Sequence, residues 1–116
     1  IVSNIEGTIR SDQTVSDVVH AVFPGGTITG CPEVRCMEII SEFEQAPREA
    51  YTGSLGYIGL DGQMDLNILI RTLLYNNNQV SFRAGGGIVH DSVPEKELME
   101  TRHKARGMLN AIKVDA

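Results

Sequence analysis

The chain has 116 residues, 41% of them hydrophobic and 22% charged, which is the balance of one soluble globular domain. A net charge of −5 with scattered Lys and Arg and no Trp excludes a nucleic-acid-binding surface. No apolar run approaches the ~20 residues of a membrane span, and a cytoplasmic location is the expectation.

Ile1-Val2-Ser3-Asn4-Ile5 reads as a strand already under way, so residues 1–10 are expected to be a strand and the chain a piece of something longer. Thr14-Val15-Ser16-Asp17 has the form of a helix start, followed by an apolar stripe of Val15, Val18, Val19 and Val22. Phe23-Pro24-Gly25-Gly26 stops that helix, and the loop Gly25–Cys31 is rich in glycine and hydroxyls. Pro32 opens a second helix carrying Val34, Met37, Ile40 and Phe43, which Ala46-Pro47 ends.

From there the pattern changes to period two. Tyr51–Leu60 reads as a strand, Asp61-Gly62 as a hairpin turn, and Met64–Tyr75 as one long second strand. Asn76-Asn77-Asn78 turns the chain into a third strand over Gln79–Ala84. Ser92-Val93-Pro94-Glu95 has the spacing of a capping box, and the helix after it is expected to bury Leu98, Ala105, Leu109 and Ile112. The order is strand, two helices, a three-stranded antiparallel meander and a last helix, which is an α+β pattern. Cys31 and Cys36 lack CxxC spacing and a nearby His, so they read as two buried, reduced thiols.

Chemistry concentrates between Arg71 and Glu100. On the predicted long strand Arg71 shares a face with Leu69 and Leu73, a poor place for a guanidinium unless it is paired. It is either half of an internal ion pair, with Asp65 for instance, or a bidentate clamp for a ligand carboxylate. Gly85-Gly86-Gly87 marks a strand end, or a backbone that another group must approach and whose amides could hold a carboxylate. Glu97 and Glu100 stand one helical turn apart, as a surface pair with Glu100 facing Lys104 or as two oxygen ligands for Mg²⁺. No Ser-His-Asp or Cys-His arrangement can be argued.

In this order the segments resemble the chorismate-utilising enzymes, the family of anthranilate synthase component I and aminodeoxychorismate synthase component I. The likeness runs from Phe23-Pro24-Gly25-Gly26-Thr27-Ile28-Thr29-Gly30-Cys31-Pro32 through Tyr51–Tyr57, Met64-Asp65, Ile70-Arg71-Thr72 and Ala84–Val89 to Glu97, Glu100-Thr101 and Lys104-Ala105. It covers essentially the whole chain. Pro24–Gly30, Gly53-Ser54-Leu55-Gly56-Tyr57 and the triple glycine are more similar to the aminodeoxychorismate branch.

The resemblance implies the C-terminal part of a chorismate-binding domain, residues 1–116, with helices packed on antiparallel sheet within a larger body of orthogonally packed sheets. It implies that Arg71 and Tyr51 bind a chorismate carboxylate, that amides around Gly85 and Gly87 assist, and that Thr27 faces the ring region. Glu97 and Glu100 would hold Mg²⁺. A glutamine amidotransferase subunit would supply ammonia. No catalytic residue is expected within the chain, because the family's His and Lys fall before Ile1. Two departures stand out: Glu33 where the family usually has Lys, and Cys36 where it has Ala. Anthranilate synthase component I and a non-catalytic module of the same fold are the alternatives. Cut free, the piece is expected to self-associate.

Overall fold

The computed structural model describes residues 3–113. Four helices and two β-hairpins follow one another, so the α+β class holds. Ile1 and Val2 lie outside the described residues, and residues 3–10 are exposed and form no strand. Among the described residues nothing pairs with this segment, and a strand exists only through its ladder.

Helix α1 (Val15–Val22) begins as the sequence requires. The Thr14 side chain accepts from the Asp17 amide while the Asp17 carboxylate accepts from the Thr14 amide at 2.8 Å. The Thr14 hydroxyl and amide together hold the Asp17 carboxyl below its ordinary pKa. Residues Gly26–Thr29, expected as loop, close into the single turn α2, and Thr29 Oγ1 donates back to the Gly25 carbonyl at 3.3 Å. Pro32 then serves as N-cap of α3 (Glu33–Phe43), which packs against α2.

The cysteines depart from expectation. Cys31 is exposed and Cys36 half-buried, because both lie where α2 meets α3 and no further layer covers that corner. The Cys31 thiol donates to Glu33 Oε1 at 3.3 Å, and that bond to a carboxylate raises the thiol's pKa.

The predicted meander is two separate hairpins. β1 (Ser54–Ile58) pairs with β2 (Met64–Ile68), with Gly56 opposite Leu66. β3 (Leu74–Asn76) pairs with β4 (Gln79–Ser81). The long strand expected over Met64–Tyr75 breaks because Arg71 takes φ 52°, a left-handed conformation that no ladder accommodates. The second turn follows its own residues: Asn77 and Asn78 both have positive φ, as a two-residue type I′ hairpin requires.

Helix α4 (Pro94–Ile112) starts one residue later than a Ser92 cap would place it. Val93 is the N-cap without a side-chain bond; Ser92 Oγ instead accepts from the Val89 amide at 3.0 Å and donates to Glu97 Oε1 at 2.8 Å. Of the four apolar residues expected to be buried, Leu98, Leu109 and Ile112 are exposed and Ala105 is half-buried. Met108 is the buried one, with 7% of its surface accessible. No helix among the described residues is long and apolar enough to cross a membrane.

Candidate functional site

The break at Arg71 opens a cleft of about 350 Å³, the size range of a small-molecule site. Its walls come from distant parts of the chain: α2 with Thr27, the turn before β1 with Tyr51, the inter-hairpin joint with Arg71, and the glycine run after β4. Thr27, Tyr51, Arg71, Gly85 and Gly87 all line it. The five residues assigned to substrate by resemblance are thus neighbours in space.

Arg71 is exposed, not wedged between leucines, since the two-sided strand that would have trapped it does not form. Among the described residues no carboxylate pairs with it, so the internal ion pair with Asp65 is not made. Its guanidinium is therefore available as a clamp.

Tyr51 is half-buried in a turn that is well tied down. Its amide donates to the Arg48 carbonyl at 3.0 Å. Next to it the Thr52 amide donates to the Leu69 carbonyl and the Leu69 amide to the Gly53 carbonyl, each at 2.9 Å. These bonds extend the β1–β2 ladder to within two residues of Arg71. The Tyr51 hydroxyl lies beside the glycine run, 3.0 Å from where a Cβ on Gly85 would stand.

One stripe of α4 faces that run: Glu97, Thr101, Lys104 and Met108, at successive i+3 and i+4 steps. Lys104 Nζ donates to the Gly85 carbonyl at 3.3 Å, and Met108 floors the cleft. A Cβ on Gly86 would come within 3.4 Å of Glu97 Oε2. Only Gly85 is short of room, against the Tyr51 hydroxyl; a Cβ on Gly86 would make ordinary contact with α4, and one on Gly87 would meet nothing within 4 Å.

Glu97 and Glu100 do not line the cleft itself. Glu97 is half-buried and accepts from Ser92; Glu100 is exposed and pairs with Lys104 at 2.6 Å, the hydrogen bond that lowers its pKa. Two hard carboxylates on one helix face suit Mg²⁺ with the remaining positions open to water or substrate oxygens. Among the described residues no cluster of three metal-ligating side chains forms. Glu33, the charge-reversed position, points to Cys31 and lies outside the cleft lining.

Sequence reasoning missed Glu44, Arg48 and Arg83, which also line the cleft. Arg48 Nε bonds both Glu44 oxygens at 2.9 Å, Nη2 bonds Oε1, and Nη1 reaches Thr52 Oγ1 at 3.4 Å. The Arg48 hydrogen bonds hold the Glu44 carboxyl below its ordinary pKa. The guanidinium carbon lies 5.9 Å from the centre of the Tyr51 ring. The available signal was the opposite-charge pair Glu44 and Arg48, four residues apart just past the end of α3. Arg83, exposed, donates to the Pro47 carbonyl.

The cleft is thus cationic: Arg48 is offset by Glu44 and Lys104 by Glu100, which leaves the charges of Arg71 and Arg83. Such a lining receives a small anion. Residues 1–110 match the family of chorismate binding enzymes, and the chain belongs to that family. It is 53% identical over 97% of its length to anthranilate synthase component 1 3 of Haloarcula marismortui, covering 22% of that protein. It is 52% identical over 97% of its length to the anthranilate synthase component I-like protein of Synechocystis, covering 23% of it. To aminodeoxychorismate synthase component 1 of Bacillus subtilis it is 46% identical over 98% of its length, covering 24% of that relative. The chain spans about a quarter of the length of these curated relatives.

Proposed function

We propose that this chain supplies the carboxylate-binding wall of the active site in an enzyme that aminates chorismate to 4-amino-4-deoxychorismate, on the route to p-aminobenzoate and folate. The observation that carries the reading is the convergence of Thr27, Tyr51, Arg71, Gly85 and Gly87 on one cationic cleft.

In this reading Arg71 grips one substrate carboxylate in a two-pronged hydrogen bond, which the planar guanidinium favours over a point charge. The Tyr51 hydroxyl and the amides about Gly85 and Gly87 complete the carboxylate's hydrogen bonds, and Thr27 orients the ring. Glu97 and Glu100 would hold Mg²⁺, which would supply the Lewis acidity that eases loss of the ring hydroxyl. Ammonia from a glutamine amidotransferase partner replaces that hydroxyl, which leaves as water. The proton-transfer groups are assigned to parts of the enzyme outside this chain.

The glycine pattern Gly53-Ser54-Leu55-Gly56-Tyr57 with Gly85-Gly86-Gly87 supports the aminodeoxychorismate product. Anthranilate is the second reading, favoured by the names of the relatives at 52% and 53% identity. Full-length enzyme incubated with chorismate, ammonia and Mg²⁺ tests both. Release of 4-amino-4-deoxychorismate supports the first, fluorescent anthranilate the second, and no amination by either route rejects the proposal.

A further inference from the structure

We infer that Arg48 is a positioning residue: locked by Glu44, it stands over the Tyr51 ring and holds that hydroxyl at the cleft wall. The inference rests on the chorismate reading of the cleft and deepens it.

Arg48 lines the cleft, so the first question is whether it binds the ligand itself. Glu44 and Thr52 take three of its five N–H groups. Every guanidinium nitrogen has a partner within the chain, Nε and Nη2 on Glu44 and Nη1 on Thr52 Oγ1. A ligand carboxylate could reach only the N–H groups left on Nη1 and Nη2, because Glu44 takes Nε with both oxygens at 2.9 Å and Nη2 with Oε1. The guanidinium carbon stands over the Tyr51 ring, 5.9 Å from its centre. A cation over a ring is attracted to the ring's negative face, and more strongly where water is partly excluded. Here the Arg48 side chain is 23% exposed.

The same residue fixes Tyr51 from its backbone side, because the Arg48 carbonyl accepts the Tyr51 amide. Through Thr52 it also touches the residue whose amide ties the turn to Leu69. Tyr51 is therefore held by ring, backbone and neighbour from one arginine. Arg71, by contrast, has no carboxylate of the described chain on its fork. The two arginines divide the work: Arg71 meets the anion and Arg48 aims the phenol.

The test is calorimetric titration of the full-length enzyme with chorismate in Mg²⁺, with the tyrosines ¹³C-labelled for NMR. Arg48→Met is expected to weaken chorismate binding roughly tenfold and to move the Tyr51 ring resonances. In a Tyr51→Leu background the same change is expected to cost almost nothing further, because its effect passes through Tyr51. Glu44→Gln should weaken binding by roughly a third of that factor, again only while Tyr51 is present. Losses that simply multiply would mean Arg48 contacts the ligand, and would overturn the inference. So would unchanged affinity accompanied by a lower melting temperature, the mark of a merely structural pair. Should Arg48→Met fail to fold, Glu44→Gln carries the same coupling test: a loss confined to the Tyr51 background supports the inference, and losses that multiply overturn it. If wild-type enzyme gives no heat with chorismate, the chorismate reading fails; Tyr51 resonances that still move in Arg48→Met would leave the positioning role standing, and unmoved ones would reject it.

Discussion

Arg71 and Arg48 face one cleft under different chemical conditions, and their substitutions should differ accordingly. Arg71 is exposed and has no carboxylate partner among the described residues, so Arg71→Ala should leave folding nearly intact. It should remove about 2 kcal/mol of charge-assisted ligand binding, roughly a thirtyfold rise in Kd, read by calorimetry on the full-length enzyme. Glu44 gives the pH dependence. Its carboxyl is held below the ordinary range by Arg48, so its folded pKa is lower than its unfolded one. The stability it contributes is present above the unfolded value of about 4.3 and is lost as pH falls through the folded value. Melting temperatures of wild type and Glu44→Gln should therefore converge as pH drops from about 5 toward 3. Divergence would assign the pair no stabilising role. At the glycines the prediction is steric: a Gly85→Ala methyl would press on the Tyr51 hydroxyl 3.0 Å away, whereas Gly87→Ala meets nothing within 4 Å in the chain. Gly85→Ala should thus disturb the Tyr51 ring without ligand, and Gly87→Ala should show a defect only when chorismate is added.

Elements whose cause is local could be read from sequence, and those whose cause is a distant partner could not. Thr14 and Asp17 cap α1 from three residues apart, and Asn77-Asn78 turns a hairpin on its own chemistry. Asn77→Val should accordingly cost about 1–2 kcal/mol in chemical unfolding, because a β-branched residue is forced to φ 49°. Strand length, by contrast, depends on what lies alongside. Alternation from Met64 to Tyr75 promised one strand, yet pairing with β1 and the turn before it runs only from Met64 to Leu69 before Arg71 turns away. For the same reason the orientation argument for Arg71 failed: residue type is in the sequence, exposure is not. Gly56 shows the hidden constraint from the other side. A Cβ there would run into the backbone carbonyl of Asp65 across the ladder, so this glycine is required by β2 and not by any turn.

At the scale of the whole molecule, the surface is too large for the mass. The accessible area is 10084 Å², whereas a folded monomer of 12.6 kDa exposes about 6,200 Å². The radius of gyration is 17.2 Å, against about 13 Å for a globule of this length. Phe43 at 78%, Leu55 at 64% and Val34 at 68% exposure are faces of α3 and β1 with no layer over them. Expressed as these 116 residues, the chain should self-associate at micromolar concentration in light scattering and show no chorismate amination with ammonia and Mg²⁺. Sustained turnover by a monomeric fragment would refute both parts. The site's completeness was the least legible property, since a cleft wall carries no mark of what faces it.

The joint at Arg71 has a mechanical consequence. The two hairpins share no rung, so nothing in their ladders fixes the angle between them. An anion gripped by Arg71 on one side and by the amides beyond β4 on the other would act as the missing rung. It would brace two sheets it does not touch. Amide exchange in β1–β2 and in β3–β4 should then slow together on ligand binding, as two leaves of a hinge stiffen when a pin is driven through it.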